Sequence, residues 1–403
     1  CTCADLERRA AQGAARLRRA GVSRGDVVLV LQPMSLELYA IVTALFRIGA
    51  VAMVPDPSAD RAHIADCCER VEPSALVGPP RAHLLRLLSW PVRRIPHAFV
   101  TGGWPLPFTT RWPARDAESD EQVTVAECDA DTPALLTFTS GSTGAPKGAV
   151  RTHGLLRAQY EALRDNLDLH PGQTDLATLP VFVLANLAAG MTTVLADADL
   201  KAPAQIDPGP VVEQIQSEQP TRTTASPAFF ERLLDADDAV LDRFDRLYTG
   251  GAPVFPDLLD RMRSAAPSAE IVAVYGSTEA EPIAHVAEAE IRPADHEQMV
   301  AGGGLLAGRP VDAVELRILP DRWGTPIGPF SRAELEEKAL PPNAPGEIVV
   351  AGPHGASGYL DGRGGDQNQV AVGGTRWHRT GAARRLDPHG RLWLPRPWPP
   401  PAR

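Results

Sequence analysis

The run Thr139-Ser-Gly-Ser-Thr-Gly-Ala-Pro-Lys-Gly148 gathers small hydroxyl residues, three glycines and a lysine directly behind an apolar stretch. Glycines at 141, 144 and 148 let the backbone turn with its N–H groups facing inward, a concavity suited to phosphate oxygens. Ser140, Ser142 and Thr143 add hydroxyl donors, and Lys147 adds a point charge. The spacing is not GxxxxGK[ST], so this is not a Walker loop. A plain Ser/Gly turn is the alternative. A run closing on Pro-Lys-Gly straight after an apolar strand favours the phosphate cradle.

Further segments carry chemistry or line it. Val274-Tyr-Gly-Ser-Thr-Glu-Ala280 also follows an apolar run, and parallel α/β sheets take ligands beyond the carboxyl ends of such strands. Its carboxylate, Glu279, suits a hard cation that bridges phosphates. Gly250-Gly-Ala-Pro-Val254 reads, alone, as an ordinary strand-to-helix turn. Leu179-Pro-Val-Phe182 with residues 185–190 carries no charge. It reads equally as an apolar acyl pocket or as plain core.

The elements that must position these segments alternate. Residues 4–20 repeat Leu6, Ala10, Ala14 and Leu17 at helical spacing, closed by Gly21. Residues 27–31 read as a buried strand, 36–48 as a helix and 51–54 as a strand, and the alternation continues past 75–77. Residues 90–133, rich in Pro, Trp and acidic groups, are expected to run over the surface. Strand 135–139 then feeds the Gly-rich loop. Helices follow at 155–166, 211–219, 227–234 and 256–264. The strands between them fall at 176–179, 193–195, 221–225, 246–248 and 270–275. Such alternation predicts parallel sheets. Beyond about residue 300 the short strands 314–318, 347–350 and 391–394 lie between Gly and Pro turns. The expected fold class is α/β: two parallel-sheet αβ subdomains over 1–300, a small β-rich subdomain over 301–394, and a Pro-rich tail over 395–403.

Composition excludes several classes. The 403 residues exceed one ordinary core. A net charge of −10 argues against general nucleic-acid binding. The longest apolar run, around 38–53, carries Arg47 and is too short to span a bilayer. No signal peptide is visible. Five cysteines form no CxxC pair, so a reducing cytosol is expected, with Cys67 and Cys68 as helix residues. Of 40 basic side chains only Lys147, Lys201 and Lys338 are lysines, and one of them sits in the Gly-rich loop.

In this order, the segments resemble the adenylate-forming superfamily of acyl-CoA synthetases, peptide-synthetase adenylation domains and luciferases. The likeness covers nearly the whole chain. It implies ATP and Mg²⁺ as cofactors, CoA as second substrate and a small carboxylic acid as partner. It implies that Thr139, Ser140, Gly141, Ser142, Thr143 and Gly144 hold phosphates together with Lys147. Tyr275 would stack on the adenine, with Gly276 and Ser277 beside it. Thr278 would contact the α-phosphate, Glu279 would hold Mg²⁺, and the backbone of Gly251, Ala252 and Pro253 would pass close to adenine and acyl group. Lys147, Thr278 and Glu279 are the expected catalytic residues. Gly346-Glu-Ile-Val-Val-Ala-Gly-Pro353 with Gly358-Tyr-Leu360 resembles a mainly structural family segment. Residues 249–253, 275–284 and 377–381 look most like the long-chain acyl branch. That branch includes the β-lactone synthetases of olefin biosynthesis, which activate a β-hydroxy acid and close it on itself.

The chain departs from the pattern in two places. Trp377-His-Arg-Thr-Gly-Ala-Ala383 has Ala382 where the family's Thr-Gly-Asp supplies a carboxylate to the ribose hydroxyls. A lost bond to a charged group costs roughly 1.5–3 kcal/mol, on the order of tenfold to a hundredfold in affinity. Asp387 is near in sequence but beyond a turn. After Leu392-Trp-Leu394 the family continues through a hinge into a C-terminal domain with a catalytic lysine. Here Pro395-Arg-Pro-Trp-Pro-Pro-Pro follows, and no lysine comes after Lys338. A truncated product, short also of the family's first strands, is expected in preference to a separately encoded C-terminal domain.

The expected activity is therefore ATP-dependent activation of a medium- or long-chain fatty or β-hydroxy acid as its acyl-adenylate, leading to acyl-CoA or to a β-lactone. An impaired nucleotide- or acyl-binding remnant is the competing expectation. A dehydrogenase is disfavoured, because no GxGxxG lies between a strand and a helix.

Overall fold

The computed structural model describes residues 1–56, 59–103, 106–113, 123–139, 147–277, 279–355, 358, 360 and 368–395. Two compact units divide the chain: residues 1–157 with 356–363, and residues 158–355 with 364–403.

In the first unit, helix Cys3–Arg19 starts on a Thr2–Asp5 capping box and buries Ala10, Ala14 and Leu17. Helix Leu36–Ile48 ends at Gly49, whose φ of 70° suits a residue without a Cβ. Among the described residues the sheet order is Thr110–Arg111, His97–Val100, Ala75–Gly78, Val27–Val30, Val51–Pro55, Pro133–Thr139, Lys147–Thr152. All neighbours are parallel except the last pair. Leu29, Met53, Leu76, Leu136 and Phe138 form its core with Cys67 and Cys68 of helix Arg61–Val71. Both thiols are free and pushed up to about 12 by burial, so they serve as small apolar side chains.

Two expectations are corrected here. His97–Val100 lies within 90–133, yet it pairs in register with Ala75–Gly78 and buries Phe99 and Val100. Flanking Pro96 and short length hid it. Residues 147–152, assigned to no element from sequence, form a strand antiparallel to Pro133–Thr139. The Gly-rich loop thus joins two arms of a hairpin.

In the second unit, strands Thr192–Leu195, Thr174–Ala177, Arg222–Ala225, Arg246–Gly250 and Glu270–Ser277 lie side by side and parallel. Helices Pro208–Glu218, Pro227–Ala236 and Pro256–Ala265 cover one face, with Leu176, Ala225, Leu247 and Ile271 packed against Val211, Phe230 and Leu259. The sheet continues through antiparallel Ala280–Ala287, Leu305–Pro310, Leu392–Leu394, Thr375–Leu386, Gly346–Ala351 and Glu315–Leu319. The strands after residue 300 therefore extend the same sheet. Asp175 and Arg222 are both buried at 3.5 Å, with Asn186 donating to Asp175 at 2.7 Å. Burial pushes the Asp175 carboxyl up, against Arg222 and Asn186. The trio ties together the starts of two strands.

Candidate active site

The rim of the Gly-rich loop is set by backbone register. Thr139 pairs with Lys147 and Phe138 with Gly148. A Cβ on Gly148 would lie 3.0 Å from the Phe138 ring and 3.2 Å from Leu360, so only glycine fits this crossing without displacement. Ser140, Gly141, Ser142, Thr143 and Gly144 lie outside the described residues, as do the side chains of Thr139 and Lys147.

In the second unit the segments predicted to meet the nucleotide converge at the carboxyl ends of adjacent parallel strands. Gly250 pairs with Val274, and a Cβ on it would stand 2.4 Å from the Val274 carbonyl oxygen. Gly251 follows with φ at 76°, and Gly251, Ala252 and Pro253 are exposed before helix Pro256–Ala265 begins. Tyr275, Gly276 and Ser277 are half-buried on the neighbouring strand. The strand register shifts between Tyr275 and Ser277, and the Ser277 hydroxyl accepts from the Ala280 N–H at 3.2 Å, closing the turn. Thr278 lies outside the described residues. Glu279 follows with a side chain 15% exposed.

Two side chains that the sequence did not single out complete this cluster. Arg384, on strand Thr375–Leu386, donates through Nε to the Tyr275 hydroxyl at 3.0 Å, with its guanidinium carbon 5.1 Å from the ring centroid. His378, on the same strand, places Nε2 3.9 Å from a Glu279 carboxylate oxygen. That is beyond hydrogen-bond distance. Burial holds its imidazole below the usual histidine range, so it sits neutral beside the carboxylate. The one signal available was position: both lie within six residues of the Thr380-Gly381-Ala382 departure.

Ala382 is in the same strand, its side chain outside the described set, and Ala383 pairs with Glu347. Asp387 does not replace a missing carboxylate at 382. Its oxygens accept from the N–H groups of His389 and Arg391 at 2.9 Å each, from Arg391 Nε at 2.7 Å and from Trp393 Nε1 at 3.2 Å. The acyl-pocket stretch divides. Phe182, Ala185 and Ala189 pack in the core against Leu163, Tyr248 and Val274, whereas Leu179 and Val181 are only partly buried at its edge.

Among the described residues, no three His, Cys, Asp or Glu side chains cluster to hold a metal alone. A cation held by Glu279 would therefore take one protein carboxylate from the described residues and would need further oxygen ligands from the substrate or water. Mg²⁺ fits such a site.

The Gly-rich segment between the paired strands Pro133–Thr139 and Lys147–Thr152, and the segment from Tyr275 to Glu279 at the end of a parallel strand, carry the motifs of an adenylate-forming ligase. The model of the AMP-binding enzyme family matches residues 1–360, and the chain belongs to that family. ATP is the nucleotide of that family. The chain is 34% identical over 401 residues to the olefin beta-lactone synthetase of Stenotrophomonas maltophilia (strain K279a), covering 97% of this chain and 71% of that protein. It is 32% identical to the olefin beta-lactone synthetase of Xanthomonas campestris pv. campestris, covering 97% and 70%. Among solved structures, the amide bond synthetase McbA of Marinactinospora thermotolerans superposes with a TM-score of 0.75 at 26% identity, over 96% of this chain and 73% of that one. An ATP-bound RpMatB–BxBclM chimera matches in fold, with a TM-score of 0.75 at 20% identity over 97% and 72%.

Proposed function

We propose that this protein activates an apolar carboxylic acid, a fatty or β-hydroxy acid, by R–COO⁻ + ATP → R–CO–AMP + pyrophosphate. The carrying observation is the arrangement of Gly250–Gly251 against Val274–Tyr275 with Glu279 beyond the turn, in a chain 34% identical to an olefin beta-lactone synthetase. Tyr275 packs on the adenine, with Gly276 and Ser277 alongside and the backbone of Gly251, Ala252 and Pro253 next to it. Thr278 contacts the α-phosphate. Glu279 would hold Mg²⁺, which would offset charge on the phosphates. Lys147 and the N–H groups of the 139–144 loop supply the remaining counter-charge as negative charge develops on the departing pyrophosphate.

Two fates for the acyl-adenylate are in play. CoA thiolate attack at the acyl carbon releases AMP and gives the thioester. In a β-hydroxy acid, the hydroxyl oxygen attacks the same carbon, AMP leaves, the hydroxyl proton passes to a base and a β-lactone remains. The relatives at 34% and 32% identity favour lactone closure. Incubation with ATP, Mg²⁺ and either a fatty acid or a β-hydroxy acid, with and without CoA, separates the two. A lactone from the β-hydroxy acid without CoA supports closure, and strict dependence on CoA refutes it.

A second reading rests on Ala382: a protein that binds nucleotide or acyl group with little turnover. Tight binding of a non-hydrolysable acyl-adenylate mimic, with no acid-dependent pyrophosphate release, distinguishes it.

A further inference from the structure

Residues 73–115 contain six arginines, at 81, 86, 93, 94, 111 and 115, and no aspartate or glutamate, in a chain whose net charge is −10. The same stretch carries a concentration of exposed large apolar side chains: Phe108 is 93% exposed, Leu87 78%, Trp90 68%, Leu88 61% and Leu84 56%. They sit on three short helical turns, Pro80–His83, Leu85–Leu88 and Trp90–Arg93, and on the loop before Thr110. Leu84, Leu87 and Phe108 border one open cleft of about 710 Å³ together with Arg81, Arg86 and Arg93. Arg86 bonds the Phe108 carbonyl at 3.4 Å and so holds the loop against the helical turns. Beneath these exposed groups, Ala82 of the first turn and Val92 of the third are buried.

We propose that this face of the first unit docks on an anionic lipid surface, with Leu87, Leu88, Trp90 and Phe108 entering the headgroup–acyl boundary and the arginines meeting lipid phosphates. Trp, Phe and Leu flanked by Arg are the residues an interfacial segment uses. Long arginine stems lie along apolar surface while their heads stay at the phosphate level. A protein partner tolerates mixed charge. A run with no carboxylate is what a uniformly negative surface selects, since each Asp or Glu there is repelled. No described helix is long and apolar enough to cross a membrane, so the contact is peripheral. The proposal does not depend on the reaction proposed above.

The test is co-sedimentation of the whole chain with vesicles of phosphatidylcholine alone and of phosphatidylcholine mixed with phosphatidylglycerol, at low and high salt. Salt-sensitive binding to the mixed vesicles, absent on phosphatidylcholine alone, is expected. Each arginine near the surface contributes about fivefold, so Arg81→Gln with Arg93→Gln should weaken binding about 25-fold. Leu87→Ser with Trp90→Ser should weaken it at least about tenfold. All four positions are exposed, so an unchanged thermal midpoint verifies the fold. Equal binding to neutral vesicles, no binding to either, or binding unchanged in both variants overturns the proposal. A dimer that Leu87→Ser dissolves, without vesicle binding, also overturns it and makes the face an interface between copies.

Discussion

The Nε–H of Arg384 donates to the hydroxyl of Tyr275 at 3.0 Å, across 109 residues of sequence. The bond anchors the outer end of a half-buried aromatic ring at the carboxyl end of a parallel strand. In the proposed role of Tyr275 at the adenine, pre-ordering the ring removes an entropy cost from binding. Arg384→Met is therefore expected to weaken ATP binding about tenfold, with turnover at saturating ATP nearly unchanged. Arg384→Lys should recover only part of this, because an ammonium lacks the planar fork. Titration calorimetry with ATP reads both variants.

In the proposed reading, Ala382 stands at the position that the resemblance gives to a ribose-binding carboxylate. Ala382→Asp should tighten ATP binding about tenfold to a hundredfold and leave the acid's KM alone. Asp387 cannot have filled this role, since its two oxygens already serve His389, Arg391 and Trp393. An unchanged ATP affinity in Ala382→Asp would mean that the ribose is held elsewhere.

Glu279→Gln keeps the shape but removes the charge that favours a hard cation. Pyrophosphate release should fall by about a hundredfold or more, and the Mg²⁺ concentration for half-maximal rate should rise. Measuring rate against Mg²⁺ at saturating ATP separates this from a folding defect, which would lower the rate without moving the Mg²⁺ midpoint.

Asp295 gives the second unit a defined acid sensitivity. Arg391 donates to both its oxygens at 2.7 and 2.8 Å and Arg292 at 2.9 and 3.0 Å, holding the carboxyl well below its ordinary value of 3.8. A depressed folded-state value means that this contribution is fully present above about pH 4 and is lost as pH falls through the acid range. Arg391→Met should destabilise the protein at pH 7 by roughly 3 kcal/mol. The variant should also show a shallower fall in urea midpoint between about pH 5 and 3 than the parent.

Much of this framework was legible in the sequence. Buried parallel strands read as short apolar runs, so 27–31, 51–54, 246–248 and 270–275 all fall on strands of the structure. His97–Val100 was hidden because four residues after a proline carry no periodicity. Lys147–Thr152 was hidden because Gly148 and the buried Arg151 break its apolar pattern. The motif at 274–280 announced its place at a strand's carboxyl end. Arg384 and His378 carried only their nearness to the Thr380-Gly381-Ala382 departure, because their contacts come from strand Thr375–Leu386 sharing a sheet with Glu270–Ser277, a pairing of distant segments that no local pattern encodes.

The central claim is ATP-dependent adenylation of an apolar carboxylic acid, and exchange of labelled pyrophosphate into ATP tests it most directly. With a panel of fatty and β-hydroxy acids, exchange should require the acid and Mg²⁺ and drop by about a hundredfold or more in Lys147→Ala. Exchange that needs no acid, or that Lys147→Ala leaves intact, would contradict the account.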